Sequence, residues 1–377
     1  MITSELPSAR KTRVSPPAIQ ILDNFDSLHT LLAQHGVAQQ APADADVFGT
    51  LAWFDSLATC GLEATSQGSG ACQLWLAGDW RAGPVVGLPL LAGQTLTGLS
   101  NYYTSLFVPM VWSAPGGSDA GAAVPEGALW QALAQAIRQH PSRWPVLMWD
   151  PMDPQSPFFT GFELALRHAG YRVDRYFCFG NWYLQVAGRS FAGYSETLPS
   201  PLRHSIARGQ RRLTRQGLWR IDIQQHPDAG LEAAIDDFVS VYQKSWKGPE
   251  PNSRFIPALA RMAAAQGWLR MGVLRLDGQA IAAQLWLVKG GKANIFKLAY
   301  VEGFERFSAG SVLTAGLMRH VIDVDHVQEV DYLTGDDAYK RDWMSHRRER
   351  WGLVAFDDRT PVGLWAWFKH WAGKKLK

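Results

Sequence analysis

Apolar and polar positions change period several times along the chain, and each change marks an element. Around 51–60, and again at 127–140, apolar residues recur every three to four positions. Leu129, Leu133, Ala136 and Ile137 share one face of the second helix, and Pro141 closes it. Short apolar runs at 71–77 and 85–90 flank the turn Gly78-Asp79, and a further extended piece is predicted at 102–111. A strand at 146–149, a helix at 158–169 stopped by Gly170, and an aromatic strand at 176–186 complete a first α/β lobe.

The pattern then repeats with clearer punctuation. A strand at 219–225, helices at 231–246 and 255–266, and strands at 269–276, 279–288 and 292–300 are predicted. Asp277-Gly278 and Gly290-Gly291 suit tight reversals, because glycine accepts positive φ, so these three strands should form an antiparallel ribbon. A helix at 310–322, a strand at 327–333, a short helix at 337–344 and a strand at 351–356 follow. The order from 219 onward is β-α-α-β-β-β-α-β-α-β. The fold class expected is α/β (α+β), with two tandem lobes, each a mixed, mostly antiparallel sheet flanked by helices.

Organisation follows from the segments between. Residues 1–45, rich in Ser, Pro, Gln and Ala, should form a loosely ordered arm with at most one helix near 19–33. The first lobe is expected over 46–190, a basic connector helix over 191–220, the second lobe over 221–360 and a Trp/Lys-rich tail over 361–377. Residues 197–221 contain no acid but carry Arg203, Arg208, Arg211, Arg212, Arg215 and Arg220, while Leu202, Ile206, Gly209 and Leu213 share one face. That helix is either a solvated face docked between lobes or an attractor of an anionic ligand. The tail joins apolar residues at helical spacing to terminal lysines, a pattern that suits docking on the protein body or lying at a membrane surface.

Composition narrows the function classes. A chain of 377 residues with 47% hydrophobic content can bury the cores of two domains. With 19% charged residues and a net charge of +3, no broad basic surface for duplex nucleic acid is expected. Cys60, Cys72 and Cys178 are odd in number and lack CxxC spacing, so neither a disulfide framework nor a metal site is expected. The first twenty residues lack an apolar h-region and no run reaches the roughly 18 apolar residues of a spanning helix, so a cytoplasmic protein is expected. Seventeen tryptophans suit packing or a surface that meets sugars, lipids or acyl chains.

Three runs carry a family resemblance: LRLDGQAIAAQLWL at 274–287, AYVEGFERFSAGSVL at 299–313 and GDDAYKRDWM at 335–344. With the element order, they resemble the GNAT acyltransferases, in particular the two-lobed Fem-like and cellulose-biosynthesis-associated acetyltransferases. LSNYYTSLFVPMVW at 99–112 and SPFFTGFELALRHAGYRV at 156–173 extend the likeness to about 47–356. The first-lobe loop APGGSDAGAAVPEG at 114–127 lacks a basic residue and a compact glycine turn, so a single acyl-donor site is expected, in the second lobe.

The resemblance implies acyl-CoA as co-substrate, with a carrier protein as the other thioester donor, and an amine as acceptor. It places the donor's pyrophosphate on Arg306, Ser308, Ala309, Gly310 and Ser311, where Ser311 caps the helix and Arg306 pairs with phosphate. The spacing departs from the family's Arg/Gln-x-x-Gly-x-Gly/Ala. Tyr339 is the candidate general acid for the leaving thiolate, Lys340 is directed to acceptor or phosphate, and Asp331, paired with Lys297, is the candidate base ahead of Asp336 and Asp337. Trp246, Tyr102, Tyr103 and Lys297 are expected to face the acceptor. Each has a structural alternative: a helix cap, a packed aromatic or an ion pair. Other readings are a Fem-like enzyme using aminoacyl-tRNA, which the arginine helix would attract, and a degenerate binding module in polysaccharide export, held peripherally at the inner membrane by the tail.

Overall fold

The structure, a computed structural model, describes residues 17–38, 44–62, 70–81, 83–113 and 126–375. Its first half contributes β1 (Ile19–Leu22), α1 (Phe25–Gln34), α2 (Leu51–Ser56), β2 (Ala71–Gly78), β3 (Val85–Ala92), β4 (Leu96–Gly98), β5 (Met110–Trp112), α3 (Glu126–Gln139), β6 (Val146–Met152), α4 (Pro157–His168) and β7 (Arg172–Gln185). Helices α5 (Phe191–Thr197) and α6 (Ser200–Gln216) then lead to β8 (Trp219–Gln224), α7 (Leu231–Gln243), α8 (Phe255–Ala265), β9 (Leu269–Leu276), β10 (Gln279–Lys289) and β11 (Lys292–Tyr300). The chain continues through α9 (Ala309–Asp323), β12 (Glu329–Asp331), α10 (Ala338–Trp343), β13 (His346–Phe356) and α11 (Pro361–Lys375).

The predicted ribbon forms for the predicted reason. Asp277 and Gly278 both have positive φ, as do Gly290 and Gly291, so each pair closes a two-residue reversal whose twist matches its strands. Within the stretch expected as a loose arm, β1 pairs with β2 at the sheet edge, and α1 is capped by Asn24, whose side chain accepts from the Ser27 amide at 2.8 Å. No strand covers 102–109. That segment is irregular yet largely buried, and β5 alone survives of the extended piece. The first-lobe loop compared above lies, over 114–125, outside the described residues.

All described strands join one sheet in the order β1-β2-β3-β4-β6-β13-β7-β12-β11-β10-β9-β8, with β5 beside β3. Each half holds one parallel pair, β4 with β6 and β11 with β12. The last strand, read as completing the second lobe, instead lies in the first, between β6 and β7. Reciprocally, β7 leaves the first lobe to pair with β12. Both exchanged strands are long, and they pair antiparallel over 172–183 and 346–356, so the two mixed, mostly antiparallel lobes fuse into one sheet.

Packing reinforces the fusion. Trp53, fully buried, meets Phe48, Phe255 and Phe296 edge-on, joining α2 to α8 and β11 across the lobes. Burying such a ring contributes on the order of 3 kcal/mol. On the opposite face of the second half-sheet, α9 packs through Val312, Leu313, Leu317 and Val321. Helix α6 lies against the turn before α9 so closely that a Cβ on Gly209 would sit 2.2 Å from the Phe307 carbonyl oxygen, so no larger residue fits there.

Candidate active site

Strands β11 and β12 pair only over 292–294 and 329–331. Beyond Asn294 they part, and 295–300 keeps a strand neighbour on its β10 side alone. A cavity of about 740 Å³ occupies the parting. Its walls are β11 from Ile295 to Leu298, the start of α9, the segment 332–334 with α10, and Tyr102, Tyr103 and Ser105 from the first lobe. Ser105 and Thr334 hydroxyls, 2.9 Å apart, join the lobes at its rim.

The end of the cavity expected to take the donor is built by backbone geometry. Ser308 adopts left-handed φ of 49° as the N-cap of α9, and its hydroxyl meets Ser205 of α6 at 2.9 Å instead of capping. The first intrahelical bond runs from the Val312 amide to the Ser308 carbonyl, 2.9 Å. The amides of Ala309, Gly310 and Ser311 therefore have no helical partner, and all three residues stand at the cavity wall. Such a turn favours an anion. Ser311, expected as the cap, is in the first turn, because α9 begins two residues earlier. Arg306, expected on the phosphate, lies on an exposed turn outside the wall, its guanidinium over the Phe307 ring at 4.7 Å and 3.5 Å from Gln216. Arg212 of α6 donates to its carbonyl at 2.6 Å, which holds the turn against α6.

Across the parting stands Tyr339 of α10, half exposed at the wall and edge-on to Tyr332 at 5.6 Å. Burial, together with the Asp337 charge, pushes its phenol up to about 12, so it keeps its proton at neutral pH. Lys340 is buried beside it. Its ammonium donates to the Thr334 and Gly335 carbonyls and pairs with Asp337 at 3.1 Å, tying α10 to the loop after β12. Burial lowers this ammonium below its usual range, with Asp337 opposing.

Asp331 does not reach the cavity. It is 1% exposed and accepts from Asn181 at 2.6 Å and from the Leu333 amide at 2.7 Å, while Lys292, at 3.1 Å, and Arg348 neutralise it. Burial alone would raise its carboxyl; the two cations hold it far below the carboxylate range. Lys297, expected as its partner, pairs instead with Glu250 at 2.8 Å, and Lys292 takes the place beside Asp331. Successive lysines on one strand face different neighbours, and the spacing from 292 to 297 crosses the irregularity between Leu285 and Trp286 in the facing strand. Asp336 also lies off the wall, held by Trp182 at 2.6 Å and by Arg347. Asp337 lines it.

The residues expected to face the acceptor converge. Lys297 lies 4.4 Å over the Tyr102 ring and 5.2 Å over Tyr103. The Tyr103 hydroxyl accepts from the Asn252 amide at 3.1 Å, and Trp246, half exposed, packs on Tyr300 at 4.4 Å. Two charged residues here were not singled out from sequence: Glu250, behind Lys297, and Lys247, which lines the cavity and donates to the Leu298 carbonyl at 2.6 Å. Burial, with the nearby Lys297 charge, lowers the Lys247 ammonium to about 8. Their signal was a charged Lys-Gly-Pro-Glu-Pro run just after an amphipathic helix.

Comparison with known proteins agrees with this architecture. Residues 200–341 match the family described as acetyltransferase (GNAT) domain. The fold is similar to that of FemX, with a TM-score of 0.52 at 8% identity, covering 90% of this chain and 98% of FemX. A conserved protein of unknown function from Bacteroides thetaiotaomicron VPI-5482 also has a TM-score of 0.52, at 10% identity, covering 90% of this chain and all of that one. No curated protein sequence matches the chain.

Proposed function

From a GNAT domain at 200–341 as the premise, we propose that the chain is a cytoplasmic N-acyltransferase that passes an acyl group from acyl-CoA, or from an acyl carrier protein, to a primary amine. The acceptor is a small molecule, sugar or peptide. The observation that carries this reading is one cavity bounded by the unpartnered first turn of α9 on one side and by Tyr339 on the other, across parted strands.

In this reading the amides of 309–311 hold the donor's phosphates, and the thioester lies along 295–298, whose free strand edge can offer a backbone N–H to the carbonyl oxygen. The amine nitrogen attacks the carbonyl carbon; a C–N bond forms and the C–S bond breaks. The amine's proton passes to Asp337, the carboxylate at the wall beside Tyr339, and the phenol protonates the leaving thiolate. Lys340 positions α10 through its two carbonyl contacts. Lys247, which forms no ion pair among the described residues, suits an anionic group on the acceptor. Calorimetric titration with acetyl-CoA and a long-chain acyl-CoA tests the reading. Wild type should bind and Ser311→Glu should not, since a carboxylate in the first turn supports the helix yet repels phosphate. No binding of either donor to wild type at millimolar levels would refute CoA as the carrier, and no transfer from an acylated carrier protein as well would refute the reading.

A second reading has its own support. Arg203, Arg208, Arg211 and Arg215 on α6 are exposed and form no ion pair among the described residues, beside the turn that α6 holds. This suits a donor carried on a nucleic acid, such as aminoacyl-tRNA. Steeply salt-dependent binding of tRNA, with none of acyl-CoA, would select it.

A further inference from the structure

Helix α11 is mounted on a face that mixes apolar and polar residues. A Cβ on Gly363 would sit 2.2 Å from the Asp357 carbonyl oxygen, Trp367 packs on Phe356 at 5.6 Å, His370 meets Asp174 at 2.7 Å, and Lys374 pairs with the same carboxylate at 2.5 Å. These four residues, spaced by four, three and four, form the docked face. The outward stripe is Leu364, Trp365, Phe368 and Trp371, exposed by 48, 59, 52 and 44%. Their rings run continuously, Trp365 stacking on Phe368 at 5.9 Å and Phe368 meeting Trp371 at 6.1 Å. A surface helix ordinarily buries its apolar stripe and shows its charges. Because α11 is fastened by one ion pair, one imidazole–carboxylate contact and one indole, the exposed Leu364, Trp365 and Phe368 are not what holds it to the body.

The charge around the ridge says what it meets. Residues 361–377 carry four lysines and no acid, and the Lys369 ammonium sits 5.9 Å over the Trp365 ring. A second copy of the chain would set these lysines against each other. The ridge also offers on the order of 500 Å², short of the roughly 800 Å² per partner of a stable interface. No helix among the described residues is long and apolar enough to cross a membrane, so any lipid contact through α11 is peripheral. We propose that the outward face of α11 docks on an anionic lipid bilayer, with Trp365, Phe368 and Leu364 at headgroup depth and Lys369 on the phosphates. The inference is independent of the cavity and its chemistry.

Sedimentation of the full chain with vesicles tests it, using phosphatidylcholine alone and an equimolar mixture with phosphatidylglycerol. Binding should be strong only to the mixture and weaken at high salt. Trp365→Ser/Phe368→Ser should lower the bound fraction roughly tenfold, and Lys369→Glu several-fold. Thermal melting should be unchanged in both variants, because neither touches the docked face. Absence of binding to the mixture, or equal binding to both vesicles, would overturn the proposal. So would a concentration-dependent dimer abolished by Trp365→Ser/Phe368→Ser, which would assign the ridge to self-association.

Discussion

Strands β4 and β6 in the first half stay paired for two residues and then part, as β11 and β12 do after three in the second. The first parting is filled. Segment 99–109 folds back into it, the Phe107 amide donates to the Pro151 carbonyl at 2.5 Å, and the buried Phe107 ring meets Phe54 at 5.9 Å and Phe158 at 6.3 Å. That ring lies so near β4 that a Cβ on Gly98 would come within 2.9 Å of it. The second parting stays open as the cavity, with a helix first turn at its edge. A split parallel pair is therefore only an opportunity; the chain that follows each half's outer strand decides whether it becomes core or site. The anchoring differs as well: β6 buries its own apolar side chains Trp149 and Met152, whereas β12 is held through its buried Asp331 by the partly buried Lys292 and Arg348.

Making the open parting resemble the filled one should have the largest effect. Under the proposed function, Ser311→Trp should lower kcat/KM about a thousandfold by filling the cavity beside the first turn of α9, with the melting temperature little changed. Emptying the filled parting does the reverse: Phe107→Ala should cost about 4 kcal/mol in denaturant unfolding through the cavity it leaves, while acyl transfer per folded molecule is retained. Asp331→Asn should cost about 2 kcal/mol, since Lys292 and Arg348 lose the buried carboxylate they share and keep only Asp46 and Glu329, which are more exposed. The sign with pH follows. The folded carboxyl is held low, so wild type has this contribution above the ordinary carboxylate range and loses it as pH falls, whereas the variant lacks it throughout.

Smaller effects probe the open site from within. Tyr339→Phe should lower kcat about a hundredfold with KM nearly constant if the phenol is the proton donor; equal turnover would remove that role. The mildest change is in pH dependence. Lys247 is charged below about 8 and neutral above, so kcat/KM for an anionic acceptor should fall several-fold as pH rises through that value. Lys247→Arg, charged throughout, should abolish that limb.

Much of the second half was legible because its signals are local. Asp277-Gly278 and Gly290-Gly291 specify their reversals through positive φ, and β9, β10 and β11 fall within a residue of the predicted spans. The first half was harder. Residues 102–109 carry enough aromatic and β-branched side chains to read as a strand, yet they are buried as irregular chain because they fill a gap made by other elements. In the site, Ser308 to Ser311 and Tyr339 could be singled out through the family resemblance, which assigns roles to positions after particular strands. Asp331 looked equally well placed; its withdrawal behind Asn181, Lys292 and Arg348 depends on strands far away in the chain. Arg306 likewise turns towards Gln216, a neighbour 90 positions earlier.

Periodicity and turn chemistry alone thus settled most helices and strands of the second half, the antiparallel ribbon, the acid-free α6 and the aromatic, lysine-bearing tail, because each depends on residues within a few positions of one another. Tertiary folding decided the exchange of β7 and β13, the filling of one parting and the opening of the other, and which carboxylate meets which lysine. It also turned α11 so that Trp365, Phe368 and Trp371 face out while Trp367 docks. Those outcomes depend on which surfaces remain to be covered once every strand is paired, and no local pattern encodes that.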